Sequence, residues 1–407
     1  MNVLLIQSPT GRPEAPIYPL GLAFLSSNLK ALGHRVCGLD LSLSGDCGED
    51  LRSAVSECSP ALVAVSLRNI DDSSWPVTWS YLDAFDEIIS ELETYKGVVA
   101  VGGPGFSIYA KEILSRWPRV DYGVAGDGET ALSDLVSALE MNRRPEQRLV
   151  HAARLSPESL LNPDYTLFPV GSYAERGAIG VQSRRGCPFG CRYCTYGEIG
   201  GRTFRNRPVE SVIRDIRQLE NLGASSFMFV DSVFDHPVDY AEELVKAIGD
   251  SGCGLQWGAW LSETASPGFM ERLWESGCRW VDFSPDAVTA KGLRLLGKPR
   301  RNRSLYSVVR DARRVGFTVG VNFFNGNPGE GFGGLLLKFM FMLRARLCLG
   351  WSRTFVNIGT IRVYPGSPMA KDLPPETDLM QPVFHAPRGL SGAVFRLFSE
   401  LRRRRRQ

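Results

Sequence analysis

Three cysteines within eight residues constrain this chain more than any other feature it carries. Cys187, Cys191 and Cys194 stand at C-x3-C-x2-C spacing in the stretch from Arg184 to Gly201. Gly186, Pro188 and Gly190 punctuate that stretch. Glycine lets a backbone turn tightly at little steric cost, so three thiolates can fold round one inorganic centre. Structural zinc and iron–sulfur sites normally take four protein ligands, and three leave one metal corner open to a small molecule. The alternative is a Cys3His zinc site, but His151 and His236 stand far along the chain at no usual finger spacing. The spacing therefore favours a 4Fe-4S cluster with one open iron. Tyr193, between the last two cysteines, adds a flat face beside it.

With 407 residues there is room for two domains, each with its own core. The net charge of +3 rests on the run Arg402 to Arg406, and the remainder is mildly acidic. That excludes a nucleic-acid surface by charge, and the arginine run reads as a solvated end. The opening MNVLLIQSPTG has no basic start and breaks at Pro9, unlike a signal peptide. The best apolar run, Leu335 to Trp351, carries Lys338, Arg344 and Arg346, so no membrane span is expected. Cys37, Cys47, Cys58, Cys253, Cys278 and Cys348 are scattered without pattern. They are expected as reduced thiols, which together with an oxygen-sensitive cluster implies a reducing, cytoplasmic setting.

Apolar runs at 3–7, 36–41, 62–67, 98–101 and 122–124 alternate with helical patterns at 20–32, 82–93, 109–115 and 129–139. Such alternation predicts a doubly wound, flavodoxin-like parallel sheet over residues 1–140. Ligands of these sheets sit outside the carboxyl ends of the strands. Those ends carry Ser8-Pro9-Thr10, Arg68-Asn69, Gly102-Gly103-Pro104-Gly105 and Gly126-Asp127-Gly128-Glu129. Mostly small, they let a large ligand approach the backbone. Residues 141–178, rich in Pro, Arg and Ser, read as a linker. Strand patterns then resume at 179–183, 227–231, 255–262, 280–284, 318–324 and 356–363, with helices between them. Six βα units over 179–370 make a partial (β/α)6 barrel whose chemistry lies at the carboxyl strand ends, where the cysteine loop falls. Residues 371–407 form a short end segment in which His385 reads as a loop or packing residue.

The cysteine loop resembles that of the radical S-adenosylmethionine (SAM) superfamily. A doubly wound domain placed before it, with PLGLAFLSSNLKALGHRV, VAVSLRNID, VGGPGFS and GVAGDGE, resembles the cobalamin-dependent class of those enzymes. The resemblance implies three cofactors: the cluster on Cys187, Cys191 and Cys194, SAM on its open iron, and cobalamin. It implies SAM contacts at Tyr193, Asp231, Ser284, Asp286 and Asn322. It implies cobalamin contacts at Ser8, Tyr18, Arg68, Gly102, Gly103, Gly126, Gly128 and Glu129. Cobalamin domains with a lower axial ligand carry a His where this chain has Pro16 to Gly21, so Tyr18 stands in its place. The activity implied is methyl transfer from SAM, through methylcobalamin, to an unactivated carbon of a small, specialised-metabolite substrate. An external electron donor of the flavodoxin or ferredoxin type is implied as a partner. Two rival readings are a cyclase or ring-rearranging enzyme with the same cofactors, and a cobalamin sensor without catalysis.

Overall fold

The computed structural model of the chain describes residues 1–9, 16–174, 179–298 and 304–385, with 389–390, 392–394 and 396–397 beyond them. Thr10 and Arg402 to Arg406 lie outside the described residues.

The first sheet is built from β1 (Asn2–Gln7), β2 (Arg35–Asp40), β3 (Leu62–Ser66), β4 (Val98–Gly102), β5 (Tyr122–Ala125) and β6 (Leu149–His151). They pair in the order β2-β1-β3-β4-β5-β6, all parallel. Alternate residues explain why the strands are apolar throughout. Leu4, Ile6, Val63 and Val65 face one helical layer, while Val3, Leu5, Leu62 and Ala64 face another. A parallel sheet covered on both faces needs this continuous run. The second of those layers, which includes Leu22, Leu132 and Val136, is continuous with the core of the following domain. The two halves thus share one apolar interior.

The chain next forms β7 (Gly180–Val181), the antiparallel pair β8 (Arg184–Arg185) and β9 (Arg205–Asn206), then β10 (Ser226–Phe229), β11 (Gln256–Leu261), β12 (Cys278–Asp286), β13 (Thr318–Asn325), β14 (Thr354–Arg362) and β15 (Phe384–His385). The second sheet runs β15-β14-β13-β12-β11-β10-β7. Its six parallel strands give the partial barrel, open between β7 and β14. β15 adds antiparallel to the β14 edge. Long apolar side chains on the outward faces, such as Val281, Phe283, Val319 and Val321, pack under the helices. The helix Phe332–Leu349 does not cross a membrane: among the described residues no helix is long and apolar enough. Its Lys338 is fully buried, ion-paired with Glu330 and donating to the Phe324 carbonyl oxygen at 2.5 Å.

Two expectations are corrected here. The stretch 141–178 is not a featureless linker. Leu149–His151 extends the first sheet, and Tyr165, Phe168, Val170 and Tyr173 are core residues shared by both halves. The second concerns Cys37 and Cys58, which form a disulfide with 6.4 Å between their Cα atoms. A helix at Cys47–Cys58, capped by Asp46, places Cys58 beside β2. Only Leu51 and Cys58 of that helix are buried, so it has little apolar stripe to announce it.

Candidate active site

The cysteine loop hangs between β8 and β9, a small clasp that brings Cys187 N–H to the Gly201 carbonyl oxygen at 2.9 Å. Gly186 makes the clasp possible. Its φ is +82°, and a Cβ there would lie 2.1 Å from the Thr203 oxygen. Cys194 donates its N–H to the Cys191 carbonyl at 3.1 Å, and Tyr196 N–H points at Cys194 Sγ at 3.4 Å. All three thiols are free and half-buried. Burial pushes the Cys191 thiol up to about 11 and also raises Cys194, each interacting with the other loop thiols. Lys298 opposes the rise at both. Among the described residues, no three His, Cys, Asp or Glu side chains gather round a point that suits a single metal ion. Three free thiols on one loop fit a cluster, in which each thiolate takes its own iron.

Beside this loop the structure assembles a network that three of the five expected SAM contacts join: Tyr193, Ser284 and Asp286. Tyr193 donates its O–H to Asp286 Oδ2 at 2.6 Å, and Lys298 Nζ lies 2.6 Å from the same oxygen. Burial pulls the Lys298 ammonium down, but Asp286 more than restores it, and the net shift is upward. Lys298 also donates to the Ser284 carbonyl oxygen. Asn322, on the next strand, donates weakly to the Phe283 carbonyl at 3.4 Å. Lys298 is absent from the sequence-based expectations. A basic residue just past the Ala290–Leu295 helix, in LLGK, was its one signal.

Asp231 is a correction. It is buried, and it accepts from Ser183 N–H at 2.9 Å, Ser183 O–H at 2.5 Å and Arg184 N–H at 3.1 Å. Its carboxylate is spent on tying the end of β10 to the start of the cysteine clasp. A strand-end Asp can serve its own sheet as readily as a ligand.

A cavity of about 410 Å³ lies where the carboxyl ends of both sheets meet. From the first sheet it is walled by Ser66, Arg68, Gly102, Gly103, Gly126, Gly128 and Glu129, and by Tyr18 on the approach to the Leu20–Ala31 helix. From the second it is walled by Gln182, Arg185, Gly186, Tyr196 and Val230. Gly103 has φ +98°, and a Cβ there would stand 2.7 Å from the Leu67 oxygen, so the turn after β4 admits only glycine. Burial lowers the pKa of Arg68, and among the described residues its guanidinium has no hydrogen bond or ion pair. Asp71, its nearest candidate partner in sequence, pairs with Arg362 at 2.6 Å instead. Tyr18 sits on Tyr165, Phe168 and Tyr173, and its O–H donates to the Asp164 carbonyl at 3.4 Å.

One expected cobalamin contact is corrected. Ser8 is fully buried and does not line the cavity; its N–H is held by the Ser66 carbonyl at 3.2 Å. Glu129 lines the cavity as expected, with its carboxylate paired to Arg185 at 2.5 Å. Burial alone would lower the Arg185 pKa, and Glu129 and Asp127 turn the shift upward. Arg205 joins Asp127 at 2.8 Å. These pairs clamp the rim of the first sheet to the cysteine clasp. At the other side, Arg362–Asp71 and a hydrogen bond between Ser73 and Tyr364 clamp the loop after β3 to the end of β14. The cavity lies beside the first clamp, and Gly186, Tyr196, Ile199 and Gly200, on either side of the cysteines, form part of its wall.

Two family models match the chain. The Radical SAM superfamily model covers residues 181–334, and the B12 binding domain model covers 10–136. An uncharacterized methyltransferase of Pyrococcus horikoshii is 25% identical over 354 residues, 81% of this chain and 75% of that protein. The hopanoid C-3 methylase of Methylococcus capsulatus is 23% identical over 329 residues, 75% of this chain and 60% of that protein. Among solved structures, the radical SAM methyltransferase TsrM from Kitasatospora setae, with tryptophan and a SAM analogue bound, superposes with a TM-score of 0.79 at 22% identity. That match covers 91% of this chain and 75% of TsrM, and it establishes a common fold.

Proposed function

We propose that the chain, with its Radical SAM and B12-binding regions, is a cobalamin-dependent radical SAM methyltransferase that methylates an unactivated carbon of a small, specialised-metabolite substrate. Its cofactors are a 4Fe-4S cluster, SAM and cobalamin. The observation that carries the proposal is the cavity bordered by both strand-end faces and by the flank of the cysteine loop. When bound, the cluster and SAM supply a carbon-centred radical and cobalamin supplies the methyl group.

The chain's own residues hold and orient these groups. Cys187, Cys191 and Cys194 would hold three irons of the cluster, which would leave one iron open to SAM. The Tyr193–Asp286–Lys298 group and Ser284 border that side and offer donors and an acceptor for the polar parts of SAM. On the other side, Gly102, Gly103, Gly126 and Gly128 let the corrin plane approach the backbone. Arg68 cannot ligate cobalt, because a guanidinium stays protonated and has no lone pair to give. With cobalamin held here, Arg68 would set positive charge beside it, which would favour the electron-rich metal. Tyr18 does not replace the missing His, since its hydroxyl is turned to Asp164. Electrons come from a flavodoxin- or ferredoxin-type donor.

The test is product stoichiometry with methyl-labelled SAM and candidate substrates. Methyl transfer with cobalt recharged from SAM yields 5′-deoxyadenosine and S-adenosylhomocysteine in about equal amounts, and label in the product. Deoxyadenosine formed with substrate turnover, but without homocysteine product or label, identifies a cyclase instead.

A further inference from the structure

The inner face of the barrel sheet carries a row of side chains that the cofactors do not account for. Along β11 to β14 the outward residues belong to the helix-side core, so Trp260, Asp282, Gly320 and Phe355 all face inward. Register sets these four side by side: Trp260 pairs with Asp282, Asp282 with Gly320, and Gly320 with Phe355. Gly320 shows where the carboxylate lies. A Cβ there would fall 1.7 Å from Asp282 Oδ1, so Asp282 extends across the space that the glycine leaves. A Cβ at Gly258 would fall 1.8 Å from Trp280 Nε1, which places a second indole on the same inner face, one step deeper.

What distinguishes Asp282 is the lack of a cation. Elsewhere in the barrel Asp215 is met by Arg207, Asp231 by Arg184, Asp286 by Lys298 and Glu330 by Lys338. Asp282 has no ion pair among the described residues. Its support is Asn322, and burial pushes its carboxyl up to about 6. A half-buried carboxylate without a cation is costly to keep. Here it stands between Trp260 and Phe355, the latter 61% exposed. Aromatic faces round a carboxylate make a pocket for an organic cation.

We propose that this row is the anchoring subsite for the methyl acceptor, and that the acceptor carries a protonated amine on an apolar or aromatic body. The carboxylate of Asp282 accepts from the ammonium, Asn322 holds the carboxylate in place, and Trp260 and Phe355 flank the cation and its apolar body. Asp282 lies two residues before Ser284 on the same strand, roughly 7 Å deeper from the strand ends. Its guest therefore sits below the SAM-side network. That the guest is a methyl acceptor rests on the methyltransferase reading, whereas the binding of an amine here can be tested without it.

The probes are 2-phenylethylamine and its neutral counterpart 2-phenylethanol, measured by calorimetry or saturation-transfer NMR on cluster- and cobalamin-loaded protein. Wild type binds the amine at least roughly tenfold more tightly than the alcohol, the scale of one charge-assisted hydrogen bond. In Asp282→Asn the preference disappears while alcohol binding is unchanged. Without any variant, the preference of wild type falls severalfold between about pH 7.5 and about pH 5, where Asp282 takes a proton and the amine keeps its own. Among the described residues Asn322 is the side chain that bonds to Asp282, and it does not titrate. Equal binding of the two probes by wild type, or a preference that survives in Asp282→Asn, overturns the inference. So does a loss of SAM affinity in Asp282→Asn with amine preference intact, which assigns the carboxylate to the cofactor. SAM cleavage is followed in the same samples. Its absence in wild type sinks the methyltransferase reading and leaves the amine result standing.

Discussion

The two strand-end faces that meet at the cavity are made of opposite materials. The first sheet is buried on both sides, and its rim is glycine and main chain, with Arg68 as the one long side chain that reaches the cavity unpaired among the described residues. The barrel sheet is buried on one side only, and its inner face and rim are crowded with Tyr193, Asp282, Asp286, Lys298 and Asn322. A broad planar cofactor is best met by backbone that can come close. Small groups with charge to be steered are best met by side chains. The division of labour follows from burial: a sheet covered twice has only its end to offer, whereas an open barrel also has an inside.

That contrast is tested most severely at the cysteine loop. Replacing Cys187, Cys191 and Cys194 together by Ala abolishes bound iron and sulfide and all SAM cleavage, while cobalamin occupancy of the other face persists. Iron analysis and the cobalamin absorption spectrum read the two outcomes separately. Next in size is the clamp between the faces. Arg185→Ala leaves Glu129 buried without its partner and lowers unfolding stability by about 3 kcal/mol, measured by denaturant titration. The exposed pair of Arg192 and Asp372 provides the control, since Arg192→Ala changes it by less than about 0.5 kcal/mol.

Smaller effects sharpen the comparison within each face. Arg68→Leu keeps cobalamin bound but changes its axial coordination, seen by EPR of the cob(II)alamin form, and slows methylation roughly tenfold. Unchanged coordination and rate at full occupancy would make Arg68 an ordinary loop residue. The smallest effect concerns Asp282. Burial raises its pKa above the unfolded value, to about 6. Between about pH 4 and about pH 6 the folded protein therefore holds a proton that the unfolded chain has released. Stability falls as pH rises through that window, and the penalty is complete above it. Asp282→Asn removes the penalty, so its melting temperature exceeds that of wild type by roughly 2 °C at pH 8 and matches it at pH 4. A carboxylate kept only for packing shows the opposite change at pH 8.

The same difference in construction explains what could be read from the sequence. Continuous apolar runs such as VLLIQ and LVAVS announce twice-covered strands, and glycines at their ends announce a close approach. The cysteine loop is local, so its spacing is legible at once. Pairings across the chain are not. Glu129 follows a glycine-rich turn and reads as a ligand contact, yet its partner Arg185 lies 56 residues on. Asp231 ends a strand in the expected place and serves its own scaffold. The strand Leu149–His151 is three residues long and exists because β5 offers it an edge. Lys298 has only its place after a helix to mark it, and the fold brings it to Asp286.

We propose that cobalamin and the cluster look at each other across the cavity between the two sheets. Pulsed EPR of protein loaded with both, the cobalamin as cob(II)alamin and the cluster reduced, measures this without knowledge of the substrate. The expected result is a spin–spin interaction that broadens the cobalt signal and vanishes when Cys187, Cys191 and Cys194 are replaced. A cob(II)alamin signal identical with and without the reduced cluster, at full occupancy of both, contradicts it.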